Sequence, residues 1–109
     1  MAKVVWTDNS IIDLSQIHKY ISEDSPENAD GFLDRLMDRS EKQLSTFPTI
    51  GRKIPELNDP AFREIIYGNY RVMYYLARNV VSITHVRHMA RDVKSGEMEY
   101  IFKDIKMDL

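Results

Sequence analysis

Cationic side chains are concentrated in one stretch of this 109-residue sequence, between Arg52 and Arg91. Guanidinium and ammonium groups bind phosphates and carboxylates, so such a stretch predicts a surface that meets phosphates or an acidic partner. Seven cations against three acids leave it a net charge of +4, although the whole chain carries −2. The cations are Arg52, Lys53, Arg63, Arg71, Arg78, Arg87 and Arg91, and the acids are Glu56, Asp59 and Glu64.

The spacing of His85 and His88 raises a metal site as an alternative chemistry. Side chains three residues apart on a strand face opposite sides, so one ion could not bind both without a bulge. The chain has no cysteine, which excludes thiolate ligands and disulfide scaffolds and fits a cytoplasmic location. No apolar run approaches the length of a membrane span. We therefore expect no metal, no cofactor and no membrane partner.

Hydrophobic periodicity predicts the elements that position the basic stretch. The run Lys3–Trp6 is typical of a strand, and apolar residues three and four apart then predict an amphipathic helix to about Glu23. Ser25 and Pro26 are typical of the start of a second helix, which Pro48 ends. Because only a couple of residues separate the helices, they should form an αα-hairpin.

The basic stretch itself predicts an antiparallel meander. Residues 49–60 hold one glycine and two prolines, typical of a loop or an edge strand. Strand-like runs follow at Phe62–Tyr67, Tyr70–Ala77 and Val80–His88, joined by two-residue turns, and residues 95–109 predict a C-terminal helix. The order β-α-α-β-β-β-α indicates one α+β domain over residues 1–109. The N-terminal strand and the αα-hairpin would pack on one face of the sheet and leave the outer face, away from the helices, for a site.

Alternation along the strand Tyr70–Ala77 separates two sets of side chains. Arg71 shares a parity with Met73 and Tyr75, whereas the other parity holds residues typical of the core under the helices. Arg71 is therefore expected on the outer face. The next strand is apolar on both parities, and a bulge near Thr84–His85 would resolve this by turning the end of the strand.

Short motifs follow one another in a fixed order between residues 3 and 91. They contain Trp6, Asp13-Leu14, Ser25-Pro26, Ala29, Phe32, Pro48, Gly51-Arg52, Pro55-Glu56, Arg63-Glu64, Gly68-Asn69-Tyr70-Arg71, Tyr74, Ile83, Val86, His88 and Arg91. In this order they resemble the RelE/ParE superfamily of bacterial toxins from type II toxin–antitoxin modules. The resemblance implies an α+β fold of the RelE/ParE type, together with a cognate antitoxin that neutralises the toxin.

The resemblance leaves two kinds of action open. RelE-like members cut mRNA on the ribosome, whereas ParE-like members are associated with inhibition of DNA gyrase and plasmid stabilisation. This chain is nearer the ParE-like type in its motif R-E-I-I-Y-G-N-Y-R at residues 63–71, with Pro55-Glu56 upstream and V-x-H-x-x-R at residues 86–91. The lysine pair of RelE is absent, and Arg63 and Glu64 stand in the corresponding strand, which argues against a RelE-style reaction. Ribosome and mRNA remain the alternative partners to gyrase, and a non-toxic partner-binding relative is a further alternative. Whether the chain is an enzyme, dimerises or forms hetero-oligomers with its antitoxin also stays open.

The nuclease alternative has candidate catalytic residues by analogy with members of the YoeB type. Their Glu, Arg and His match Glu56, Arg71 and His88, which would act as base, phosphate clamp and acid in cleavage through the 2′-OH. A less specific interpretation makes Glu56 a salt-bridge partner of Arg52 or Arg63. Under either kind of action, the residues expected to contact the target or phosphate are Arg52, Arg63, Arg71, Arg87 and Arg91.

Overall fold

The computed structural model describes residues 1–57 and 59–90. Through these residues the order of elements agrees with the α+β prediction, and the predicted helix at 95–109 lies outside the described part. The elements are β1 (Lys3–Trp6), α1 (Asp8–Ser22), α2 (Pro26–Thr46), β2 (Arg52–Lys53), β3 (Phe62–Tyr67), β4 (Tyr70–Ala77) and β5 (Val80–His88). Neither helix is long and apolar enough to cross a membrane.

Both helices begin at capping residues that the chain supplies locally. The Thr7 hydroxyl accepts a hydrogen bond from the Ser10 N–H at α1, and the Ser25 hydroxyl accepts one from the Asn28 N–H at α2. Pro26 occupies the first position of α2, where its missing N–H costs nothing. The two helices form the predicted hairpin and pack on one face of the sheet.

The strands form one five-stranded sheet in the order β1-β5-β4-β3-β2. The strands β3, β4 and β5 make the predicted meander, and β2 is a two-residue edge strand beside β3. The predicted α+β architecture is confirmed, and the sheet is mostly antiparallel. The exception is the edge strand β1, which lies parallel to β5 from Lys3 opposite Val80 to Trp6 opposite Ile83. The helical hairpin connects β1, at one edge of the sheet, to β2 at the other edge. The meander then returns strand by strand to β1, and its last strand, β5, runs in the same direction as β1.

A bulge interrupts β5 where the sequence predicted one. Met73 lies opposite His85 while Tyr74 lies opposite Ile83, so Thr84 is the extra residue on β5. Beyond the bulge β1 has ended, and α1 takes its place beside β5. There the Asp13 carboxylate accepts a hydrogen bond of 3.0 Å from the buried N–H of Val86.

Apolar side chains pack on both faces of the sheet. The main core lies between the helices and the sheet and includes Leu14, Leu36 and Tyr74. A second, smaller cluster of Ile54, Phe62 and Met73 lies on the outer face. The connection between β2 and β3 folds over this face, which is therefore less open than the sequence suggested.

Candidate functional site

Four charged side chains form a continuous row on the outer face, which we call the charged row. It runs from Arg52 on β2 through Glu64 on β3 and Arg71 on β4 to Glu56 in the connection between β2 and β3. Arg52 lies directly opposite Glu64, and the parity of β4 places Arg71 on the same face. Cations and carboxylates therefore alternate along the row.

Glu64 is the buried centre of the charged row. Its side chain is 0% exposed, and each of its carboxylate oxygens faces one arginine. Arg71 donates to Oε1 from Nε at 2.7 Å, and its Nη2 lies 2.6 Å from the same oxygen. Arg52 donates to Oε2 from Nε at 2.7 Å, and its Nη2 lies at 2.6 Å. These charge-assisted contacts compensate for the burial of the carboxylate.

Glu56 meets the other edge of the Arg71 guanidinium as a bidentate partner. Nη1 of Arg71 donates to Oε2 at 3.1 Å and Nη2 donates to Oε1 at 2.9 Å. The hydrogen bonds from Arg71 hold the pKa of the Glu56 carboxyl below its ordinary value, against the opposing effect of burial. Burial lowers the pKa of Arg71, but its hydrogen bonds to Glu56 and Glu64 outweigh this and raise it.

The structure thus brings two of the three candidate catalytic residues together. Glu56 pairs with Arg71 rather than with Arg52 or Arg63, the partners weighed from the sequence. Arg71 is on the predicted face, yet its side chain is only 7% exposed because both of its edges meet carboxylates. Arg71 therefore belongs to an internal network of ion pairs rather than to the exposed surface.

His88, the third candidate, lies on the opposite face of the sheet from Arg71. It is paired with Tyr70, and the two rings meet edge to face with centroids 5.2 Å apart. Tyr70 belongs to the main core and contacts Phe32 of α2. The same alternation places His85 on the outer face, away from His88.

Of the other cations predicted to contact a target, the three that the structure describes also make contacts within the protein. Arg63 donates to the carbonyl oxygens of Thr49 and Gly51, the latter at 2.8 Å. Arg87 lies 3.3 Å from the Asp13 carboxylate. Arg52 is 58% exposed while it contacts Glu64, and Arg91 lies outside the described residues. Arg52, Arg63 and Arg87 therefore each contact an oxygen of the protein itself, as Arg71 does.

A close contact between Gly51 and Tyr74 holds the backbone next to Arg52, the first residue of the charged row. The buried Tyr74 hydroxyl donates to the Pro48 carbonyl at 2.7 Å and accepts from the Gly51 N–H at 3.0 Å, and burial raises the pKa of Tyr74. A Cβ at Gly51 would lie 2.5 Å from that hydroxyl and 2.7 Å from the Glu64 carbonyl. Only glycine fits there, and it fixes where Arg52 enters the sheet.

A groove of about 860 Å³ lies at a different place, between the second half of α2 and the end of β3. Phe47, Ile50 and Ile66 line it, and all three are exposed although they are large and apolar. Arg39 and Lys42 lie on its α2 side. Grouped apolar side chains of this kind are typical of surfaces that contact other proteins.

The central role of Glu64 and the contacts of Asp13 were not predicted from the sequence. The sequence signal for Glu64 is a carboxylate amid the apolar residues of β3, which is typical of a buried ion pair. It shares its parity with Phe62 and Ile66, which places it on the face of Arg71. No local signal indicated that Asp13 would complete the edge of β5.

Comparison with known proteins agrees with this fold. The profile of the family described as the ParE toxin of the type II toxin–antitoxin system parDE matches residues 4–93. Toxin RelE2 of Caulobacter vibrioides is 36% identical over 92 residues, which are 84% of this chain and 99% of that protein. The chromosomal ParDE TA system from P. aeruginosa is 19% identical with a TM-score of 0.65, over 81% of this chain and 96% of that chain; at that identity the likeness shows the fold alone.

An αα-hairpin on a mostly antiparallel sheet, with the family motifs in order along it, defines a toxin of the RelE/ParE superfamily. More narrowly, the chain belongs to the ParE toxin family of type II toxin–antitoxin systems, because the match covers most of its length. Membership of this family implies a cognate antitoxin as a partner.

Proposed function

We propose that this toxin arrests growth by binding a protein target such as DNA gyrase in the cytoplasm, within a plasmid-stabilisation module, and that it does not cleave RNA. The observation that carries the proposal is the separation of Arg71 from His88 by the sheet. Cleavage through the 2′-OH needs a base, an acid and a cation around one phosphate. An acid on the helix-covered face would not reach a phosphate held by Arg71.

The state of the cations supports the same proposal. RNA binding draws on several cations that are free to neutralise successive phosphates. Arg63 and Arg87 are instead directed to backbone carbonyls and to Asp13, and Arg71 is covered by two carboxylates. The exposed apolar groove at Phe47 and Ile50 favours a protein partner over a nucleic acid.

The second candidate is a ribosome-dependent endoribonuclease of the RelE/YoeB type. Its support is the direct contact between Glu56 and Arg71, which places the proposed base beside the proposed phosphate clamp. Within this candidate, His88 would have to leave Tyr70 and cross to the outer face, so the ribosome would have to rearrange the end of β5.

Two assays on the purified chain separate these candidates. In the first, DNA gyrase supercoils plasmid DNA with and without the toxin, and in the second, ribosomes translate a labelled mRNA with and without it. We expect inhibited supercoiling and intact mRNA, with the toxin pre-bound to its antitoxin as the inactive control. Cleaved mRNA with unaffected supercoiling would refute the proposal in favour of the nuclease, and inactivity in both assays together with normal growth on expression would indicate a non-toxic relative.

A further inference from the structure

The two edges of the Arg71 guanidinium are held in unequal ways. The inner edge contacts Glu64 at 2.6–2.7 Å, and that carboxylate is fully buried and also fixed by Arg52. The outer edge contacts Glu56 at 2.9–3.1 Å, and the Glu56 side chain is 36% exposed. Only the outer contact therefore borders solvent.

Among the members of the charged row, Glu56 is the one whose side chain can be replaced by another carboxylate with the least disturbance of the sheet. It belongs to the connection between β2 and β3, whereas the other three members lie in strands. Without Glu56, two arginines would surround the single carboxylate of Glu64, and the row would carry a charge of +1. A desolvated guanidinium with a vacant bidentate edge attracts another anion.

We propose that the outer edge of Arg71 is a receptor for an acidic side chain of the antitoxin, and that Glu56 occupies this receptor in the free chain. The inference rests on the proposed function in taking a protein as the ligand. On binding, an aspartate or glutamate carboxylate of the antitoxin replaces the carboxylate of Glu56 at the two terminal nitrogens of Arg71. No proton moves and no covalent bond changes, because one carboxylate takes the place of another.

The geometry of the outer edge of Arg71 favours a carboxylate over a nucleic-acid phosphate as its ligand. The available edge is a single planar fork, which matches one carboxylate in a bidentate contact. A nucleic acid presents a row of phosphates that call for several cations. In the described part of the chain, the neighbouring Arg52 is bound to Glu64, and Arg87 lies against Asp13.

Rescue of Glu56→Ala by acetate tests the receptor directly. The variant removes the Glu56 carboxylate and leaves Arg71 and Glu64 in place, so acetate can bind at the outer edge of Arg71. We expect sodium acetate to raise the melting temperature of Glu56→Ala saturably, by about 3–6 °C over sodium chloride at equal ionic strength. The melting temperature of the unmodified chain should be the same in acetate as in chloride, because Glu56 already occupies the outer edge of Arg71.

Controls restrict the effect to this place and this chemistry. Glu27→Ala removes an acid from the first turn of α2 and should give no acetate effect beyond that of chloride. Neutral acetamide should not rescue Glu56→Ala, and inorganic phosphate at equal ionic strength should rescue it less than acetate. If Glu56→Ala does not fold, Glu56→Gln is measured in the same way, since its neutral amide can be displaced by acetate.

Two results would overturn the inference. The first is a folded Glu56 variant whose melting temperature responds equally to acetate and chloride, and the second is stronger rescue by phosphate than by acetate. Neither growth arrest nor a cellular target enters this measurement. If acetate does not raise the melting temperature of the Glu56 variants, the receptor inference is refuted and the gyrase proposal is unaffected. If the toxin cleaves mRNA, the gyrase proposal is refuted and the result of the acetate experiment is unaffected.

Discussion

At the scale of single residues, three arginines of the stretch that looked basic in the sequence make internal contacts that stabilise the fold. Arg71 and Arg52 share the buried carboxylate of Glu64, and Arg63 donates to backbone carbonyls. A buried carboxylate between two guanidinium groups is strongly destabilised if either partner is removed. These arginines therefore act first on stability, and any variant at them has to be checked for folding before activity is interpreted.

The lowered pKa of Glu56 predicts a pH-dependent share of stability. A carboxyl with a lowered folded-state pKa stabilises the protein above its ordinary pKa of 4.5, and this share is lost as the pH falls through the folded-state pKa. The free energy of unfolding should therefore be larger for the unmodified chain than for Glu56→Gln at neutral pH. Urea unfolding should show the gap closing as the pH falls below 4.5.

Glu27→Gln is the matched control for that experiment, because it removes an acid outside the charged row. Subtracting the loss of unfolding free energy in Glu27→Gln from that in Glu56→Gln, at each pH, leaves the part that depends on the ion pair with Arg71. A gap for Glu56→Gln that stays constant from neutral to acidic pH would contradict the assigned ion pair with Arg71.

At the scale of elements, the end of β5 depends on a helix rather than on a neighbouring strand. β1 pairs with β5 only from Val80 to Ile83, and the bulge at Thr84 follows at once. Asp13 of α1 then accepts the hydrogen bond from Val86 and contacts Arg87. One carboxylate thus joins the helical hairpin to the strand that carries His85 and His88.

Replacing Asp13 should therefore destabilise the protein in a way that separates its two contacts. Asp13→Ala leaves the buried Val86 N–H without its acceptor and should cost about 1–3 kcal/mol in the free energy of unfolding. Asp13→Asn keeps an acceptor oxygen but loses the charge near Arg87, so it should cost less. Urea titrations of both variants test this, and equal losses would show that the hydrogen bond to Val86 is not the main contribution.

The elements also show how far local sequence patterns predict this fold. Turn residues and alternation predicted the bounds of β3, β4 and β5, and the conflict of parities along β5 predicted its bulge. Pairing between distant segments was not predictable, because nothing near Lys3–Trp6 indicates that it joins β5 in parallel. The partner of Glu56 was missed for the same reason, since the fold of the β2–β3 connection over the outer face is a long-range packing event.

At the scale of the whole molecule, the sheet divides the candidate residues into two groups. The outer face holds the charged row, while His88 lies on the helix side against Tyr70. The exposed apolar groove at Phe47 and Ile66 lies at the β3 side of the sheet. This division is why we favour a toxin that works through protein contacts, in which the histidine contributes to packing.

The most direct test of that claim is growth arrest by His88→Asn, expressed at the level of the unmodified toxin. Asparagine keeps a side-chain acceptor that can replace the His88 nitrogen bonded to the Ala90 N–H, but it cannot act as the acid in RNA cleavage. We predict growth arrest equal to that of the unmodified toxin. Normal growth with a folded His88→Asn chain, alongside mRNA cleavage by the unmodified toxin, would contradict the account.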